Sequence, residues 1–105
     1  VFTDLSHVYG NGCSIYNTYV LRSAETYEAT HERWARLKQA ASETIVNNRG
    51  TISHQHGVGK DHAPYLPVEK GPVTIGLLQA MSRHMDPDRR LAPGVLLQDE
   101  PEEQA

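Results

Sequence analysis

The sequence predicts an α+β fold, a small antiparallel sheet with helices packed on one face. Three observations carry this. Two runs rich in β-branched and aromatic residues, "VFTDLSHVY" and "SIYNTYVLR", flank the turn-forming "GNG" of residues 10–12, a hairpin signature. A long stretch follows whose apolar residues recur three or four apart, the period of a helix that buries one side. A second helical stretch comes after a segment rich in histidine and glycine, so the order reads strand, strand, helix, strand, helix.

Each element has a local cause. Ser14 to Arg22 reads as the second strand of the hairpin. The first helix is expected from about Thr26 to Asn48, with Tyr27, Thr30, Trp34, Leu37, Ala41 and Ile45 on one face and charged residues on the other. Ser23 or Thr26 can cap its start, and Gly50 offers a left-handed stop. "GTISHQ" reads as a third strand, since Thr51 and Ile52 favour extended backbone and Gly57 ends it. Pro64 and Pro67 break any earlier helix, so the second helix is expected from about Val68 to Met85. It carries Val73, Leu77, Ala80, Met81 and His84, and Gly71 and Pro72 delay its true start. "MDPDRRLAPGVLL" reads as an irregular closing segment. Three strands and two helices make a thin core, and the chain opens at Val1 on a strand pattern without an initiator methionine. Both features suggest a fragment of a larger domain.

Composition bounds the function. The chain has 105 residues, a formal charge of -3 and no cluster of Lys and Arg set apart from acidic neighbours, so a nucleic-acid or anionic-membrane footprint is absent. Its one cysteine, Cys13, allows no internal disulfide, and a reducing, cytoplasmic setting is the default. No apolar run is long enough to span a bilayer. Residues 1–97 are expected to form the folded portion, and residues 98–105, "QDEPEEQA", an acidic disordered tail.

The stretch "TISHQHGVGKDHAPYL" concentrates the chemistry. In a strand, Ile52, His54 and His56 face one way and Thr51, Ser53 and Gln55 the other, with His54 and His56 roughly 7 Å apart. Gly57 and Gly59 then let the backbone turn sharply and approach a ligand, while Lys60 adds positive charge. That set suits an anion or a flat electron-rich ring, and histidine is the natural proton carrier near neutral pH. Histidines near strand ends are often ordinary surface or core residues, and His62, after Asp61 in a loop, reads that way as readily as any other. "HGVGK" lacks the spacing of a nucleotide-binding loop. Two rival readings stand beside this one. One is a metal module using His54, His56 and His62, with Asp61, His7 or Cys13 as further ligands. The other is an interaction domain that docks through the helix around Trp34.

"GTISHQHGVGKDHAPYL", the closing "MDPDRRLAPGVLL" and the early "SHVYGNGCSIYNTYV" resemble, in order, the C-terminal end of the FAD-linked oxidases with a vanillyl-alcohol-oxidase type of flavin domain. The nearest likeness is to the alkyldihydroxyacetonephosphate synthase branch and its bacterial relatives, over His7 to Leu97. The resemblance implies FAD as cofactor, a flavin-binding domain N-terminal to this chain in the same parent protein, and a role for this chain as the last part of the substrate-side cap. Three consecutive histidines of the synthase motif fall on His54, Gln55 and His56, so the middle base is replaced. A tyrosine of the synthase site falls on Tyr16. The resemblance therefore implies His54, His56 and Tyr16 as catalytic, and Gln55, His56, Gly57 and Gly59 at the cofactor. It further implies Lys60, His7 and Tyr16 at a small anionic substrate.

A second branch of the same superfamily oxidises D-2-hydroxy acids. Its metal-dependent members resemble Glu-His-Gly at Gln55, His56 and Gly57, with two further histidines of which only His7 is present. Neutral glutamine is a poor ligand, so no metal is expected. The closing stretch has Ala92, Pro93, Gly94 and Val95 where the family resembles Asn-Pro-Gly-Lys. The function expected is the substrate-side part of an FAD-dependent oxidoreductase acting on a hydroxy acid or glycerol-phosphate type substrate, inactive without its flavin domain. A D-lactate or glycolate type 2-hydroxy acid dehydrogenase is the alternative within the superfamily. No nucleic-acid or membrane partner is expected, and a second copy of the chain is a candidate partner.

Overall fold

The structure, a computed structural model, describes residues 1–98. The expected acidic tail lies outside the described residues but for Gln98. Strands β1 (Phe2–Tyr9) and β2 (Gly12–Thr18) precede helix α1 (Tyr27–Asn47), a single 3-10 turn (Ala63–Tyr65) and helix α2 (Leu66–Met85). The two strands form one antiparallel sheet, so the α+β class holds. The third strand does not form. Residues 51–57 are a loop, because Gln55 takes φ 55° and Gly57 φ 76°, left-handed values that end any extended run. The β preference of Thr51 and Ile52 yields to those neighbours.

The chain divides into two compact units, Val1–Gln39 and the part from Ala40 onward. In the first, the hairpin turns through Gly10 and Asn11, with Tyr9 opposite Gly12. β2 stops at Thr18, short of the expected Arg22. The following segment folds back along α1 instead. Arg33 donates to the carbonyl of Arg22 at 2.8 Å, and the Ala24 N–H donates to Thr30 Oγ1 at 2.9 Å. Of the two expected caps, Thr26 serves: its Oγ1 accepts the Ala29 N–H at 3.2 Å, satisfying an amide the first turn leaves open. No residue of this unit is buried. Phe2 on one face of the hairpin and Ile15 on the other are 69% and 61% exposed.

In the second unit α1 ends in a Schellman motif. The Gly50 N–H donates to the Ile45 carbonyl at 2.8 Å and the Arg49 N–H to the Val46 carbonyl at 3.0 Å, the paired bonds that close a helix C-terminus. The left-handed position is Arg49, at φ 61°, and not Gly50 as the sequence pattern suggests. Gly50 is needed for space: a Cβ there would lie 2.9 Å from Ile45 Cγ2. The buried side chains of this unit are Ser42, Val46, Ile52, Ala63 and Leu66, drawn from the end of α1, the loop, the 3-10 turn and the start of α2. α2 begins two residues earlier than expected and breaks at Gly71 (φ 78°, ψ 162°), just before Pro72. A residue preceding proline is pushed out of the α region, and glycine accepts the result. The face expected to be core on α2 is open: Val73, Leu77 and Met81 are all largely exposed.

Candidate functional site

The histidine segment is a chain of tight turns. The His56 N–H donates to the His54 carbonyl at 2.8 Å, and Gln55 between them has φ 55°. A bond from residue i+2 to residue i closes a γ-turn, and a positive central φ makes it the rare, strained form. His54 and His56 are therefore the two shoulders of one turn with Gln55 at its apex, rather than successive residues on a strand face. All three are exposed. Strain of this kind persists only where the surroundings hold it, and it gathers at functional sites.

What holds it is visible on both sides. The Ser53 hydroxyl donates to the Gly57 carbonyl, closing the segment that contains the turn. Ahead of it, the N–H of buried Ile52 donates to Glu69 Oε2 on α2 at 2.8 Å. Beyond it, Gly59 (φ 62°) turns the chain again and the His62 N–H reaches back to the Val58 carbonyl at 3.3 Å. The Gly59 carbonyl also accepts the Leu96 N–H at 3.2 Å, which ties the closing segment to the glycine loop. The left-handed φ of Gly57 and Gly59 is what selects glycine there. A Cβ on either would meet nothing within 4 Å, so open space lies beside the backbone. Lys60 stands exposed on the same turn.

The fold perturbs the carboxyl of Glu69. Its side chain is 14% exposed and its Oε1 lies 2.8 Å from Lys70 Nζ. Burial pushes its pKa up, but the Ile52 N–H and the Lys70 ammonium together outweigh that and hold it below its ordinary value.

His7 and Tyr16 lie in the other unit, on the hairpin. The register runs Asp4 opposite Tyr16 and Leu5 opposite Ile15, then shifts so that His7 faces Ser14. Ser6 is thus the extra residue of a β-bulge. Opposed residues share a face, so Phe2, Asp4, His7, Tyr9, Ser14 and Tyr16 stand together. Without the bulge His7 would fall on the side of Leu5. The Ser6 hydroxyl donates to Ser14 Oγ at 3.2 Å and lies 3.1 Å from His7 Nδ1. The His7 and Tyr9 rings stack with centroids 6.4 Å apart and planes 9° from parallel. Bulges commonly re-aim a side chain next to a site.

The expected site residues thus fall in two groups. His54, Gln55, His56, Gly57, Gly59 and Lys60 share one loop, while His7 and Tyr16 share one hairpin face. Sequence reasoning missed Glu69, Ser53 and the Leu96 N–H as supports, and missed Ser6. An acidic residue in the first turn of a helix reads as a complement to the dipole, which hides its longer reach. Among the described residues no three His, Cys, Asp or Glu side chains gather where they could hold a metal ion. Among the same residues no helix is long and apolar enough to cross a membrane.

The family model for FAD linked oxidases, C-terminal domain, matches residues 1–96. An alkyldihydroxyacetonephosphate synthase of Trypanosoma brucei brucei is 29% identical over 98 residues, 93% of this chain and 16% of the relative. One from Caenorhabditis elegans is 32% identical over 93 residues, covering 89% of this chain and 15% of the relative. D-lactate dehydrogenase (cytochrome) 1, mitochondrial, of Saccharomyces cerevisiae is 29% identical over 75 residues, 71% of this chain and 13% of the relative. The chain therefore spans about a sixth of the length of the first of these relatives. No solved structure matches it.

Proposed function

Because this chain belongs to the family of FAD linked oxidases, C-terminal domain, we propose that it is the substrate-side portion of an FAD-dependent oxidoreductase whose flavin domain precedes it in the parent protein. The carrying observation is the strained turn of His54, Gln55 and His56, exposed and held between α2 and the closing segment. Two exposed imidazoles on a fixed turn, with glycine backbone beside them, present proton acceptors and an unobstructed surface to a ring. The residues fit a flavin in that sense: the space beside Gly57 and Gly59 is open, and Gln55 and His56 offer hydrogen-bonding groups at its edge.

Gln55, His56, Gly57 and Gly59 would hold the cofactor. Bound FAD supplies the acceptor for a hydride from the substrate carbon. His56 or His54 takes the proton of the substrate hydroxyl, which places the developing negative charge on oxygen at the moment the hydride leaves. Lys60 attracts an anionic group of the substrate; His7 and Tyr16, on the hairpin face of the other unit, are hydrogen-bonding groups suited to the same kind of ligand. Gln55 is neutral and serves as a hydrogen-bonding group rather than a base.

The likeness to the synthases of trypanosome and nematode favours a glycerol-phosphate type substrate, and the likeness to the yeast D-lactate dehydrogenase favours a 2-hydroxy acid. Both are small anionic alcohols, which the cation at Lys60 suits. In the full-length protein, His54→Ala and His56→Ala are the test. At least one should lower turnover by about 100-fold or more, the usual weight of a positioned acid or base. Turnover within a few-fold of wild type in both variants refutes the assignment.

A further inference from the structure

We propose that Glu69 is the positioning residue of the histidine turn: its carboxylate, on the Ile52 N–H, fixes the root of the loop that carries His54 and His56. The proposal rests on the functional reading above for its catalytic consequence, but not for its structural one.

The anchor starts at a backbone amide. Ile52 is buried at 6% exposure, and a buried N–H must find an acceptor. In a sheet that acceptor would be a neighbouring strand, but residues 51–57 pair with none. The acceptor is a side chain 17 positions along the sequence, at 2.8 Å. A bond from an amide to an ionised carboxylate is roughly twice as strong as one between neutral groups. The held-down pKa of Glu69 and its Lys70 partner keep it ionised at neutral pH.

Position does the rest. Only Ser53 separates Ile52 from His54, and the Ser53 hydroxyl closes onto the Gly57 carbonyl. The path from α2 through Glu69, Ile52 and Ser53 to Gly57 therefore contains the whole strained turn. If the first link goes, the Ile52 amide loses its acceptor and the root of the loop is free to shift. A displacement of about 1 Å in a reacting group can lower a rate by about 100-fold. Lys70, although ion-paired with Glu69, makes no bond to the loop itself.

The test uses the full-length protein and three substitutions at Glu69, with Lys70→Met as a control. Glu69→Ala removes the acceptor. Glu69→Asp keeps charge but draws the carboxylate back by one methylene, out of reach of the amide. Glu69→Gln keeps an acceptor oxygen in place. The expected result is that Ala and Asp each raise the hydrogen-exchange rate of the Ile52 amide at least about 10-fold. Each should also lower kcat by about 10- to 100-fold with KM within a few-fold. Gln should retain most of both properties, and Lys70→Met should match wild type. Where Glu69→Ala fails to fold, the Asp and Gln pair decides alone. An Asp variant with wild-type exchange at Ile52 overturns the anchor. An Asp variant with fast exchange but wild-type kcat overturns the positioning role. If the two histidine substitutions were themselves silent, the functional reading would fall, and the exchange measurement would still judge the anchor separately.

Discussion

The hairpin and the histidine loop solve the same problem in opposite ways. In the hairpin the backbone bonds are internal to its own ladder, from Phe2 opposite Thr18 to Tyr9 opposite Gly12, while both faces of side chains stay uncovered. In the loop some of the stabilising bonds are borrowed and some are its own. Ile52 takes a carboxylate from α2, Ser53 reaches Gly57, and Gly59 receives an amide from the closing segment. The difference teaches where each geometry is encoded. A hairpin is specified by its own residues and its turn, so local changes alter it and distant ones do not. The loop also takes bonds from Glu69 and Leu96, far along the chain, so its surroundings are not written in its own sequence alone.

The largest expected effect breaks the local side of this contrast. Ser6 has no residue opposite it in the register, and one residue inserted between Ser14 and Ile15 would supply one. Regular pairing would then carry His7 and Ser14 to the side of Leu5 and Ile15, away from Tyr16. Steady-state kinetics of that variant in the full-length protein should show a loss of kcat/KM of about 10- to 100-fold. Deleting Ser6 instead straightens β1 while keeping His7 on the face of Tyr16, and should leave kcat/KM within a few-fold. Equal behaviour of the two variants would mean that the shared face has no role.

Next in size is a pair of identical substitutions in different surroundings. Gly50→Ala drives a methyl group against Ile45 Cγ2 and should cost about 1–3 kcal/mol in chemical denaturation, the range for overpacking. Gly57→Ala meets no atom within 4 Å but must hold φ 76°, and should cost about 1–2 kcal/mol from backbone strain alone. Arg49→Gly, at φ 61°, should do the reverse and stabilise by up to about 1 kcal/mol.

The smallest effect is a pH dependence. Glu69 has a folded-state pKa below its ordinary value of 4.5, so its contribution to stability is fully present above that value. It is lost as the pH falls through the lower folded-state pKa. Melting temperature followed downward from pH 6 should therefore fall more steeply in wild type than in Glu69→Gln below about pH 4.5. Parallel curves would remove Glu69 from the set of groups that hold the loop.

Much of this was legible in the residues. The β-branched and aromatic residues of "FTDLSHVY" and "GCSIYNT" and the glycine turn between them are local, and so is the three-and-four spacing that places α1 within a residue of its expected ends. The histidine and glycine positions of the loop stood out for the same reason. The third strand misled because Thr51 and Ile52 do favour extended backbone, while the left-handed turn at Gln55 lies between Ile52 and Gly59, whose bonds to Glu69 and Leu96 no local pattern carries. Gly50 misled differently. It stands where a helix stop belongs, but contact with Ile45 and not its own φ demands glycine there. The bulge at Ser6 is invisible to a two-residue period because it appears only when β1 is laid against β2.

The most direct test of the account is the visible spectrum of the full-length protein, recorded anaerobically before and after addition of D-2-hydroxy acids and glycerol phosphates in turn. The expectation is a flavin band in the purified protein that one of these anionic alcohols bleaches, with slower bleaching in His54→Ala or His56→Ala. A protein that carries no flavin, or one whose flavin none of them reduces, would contradict it.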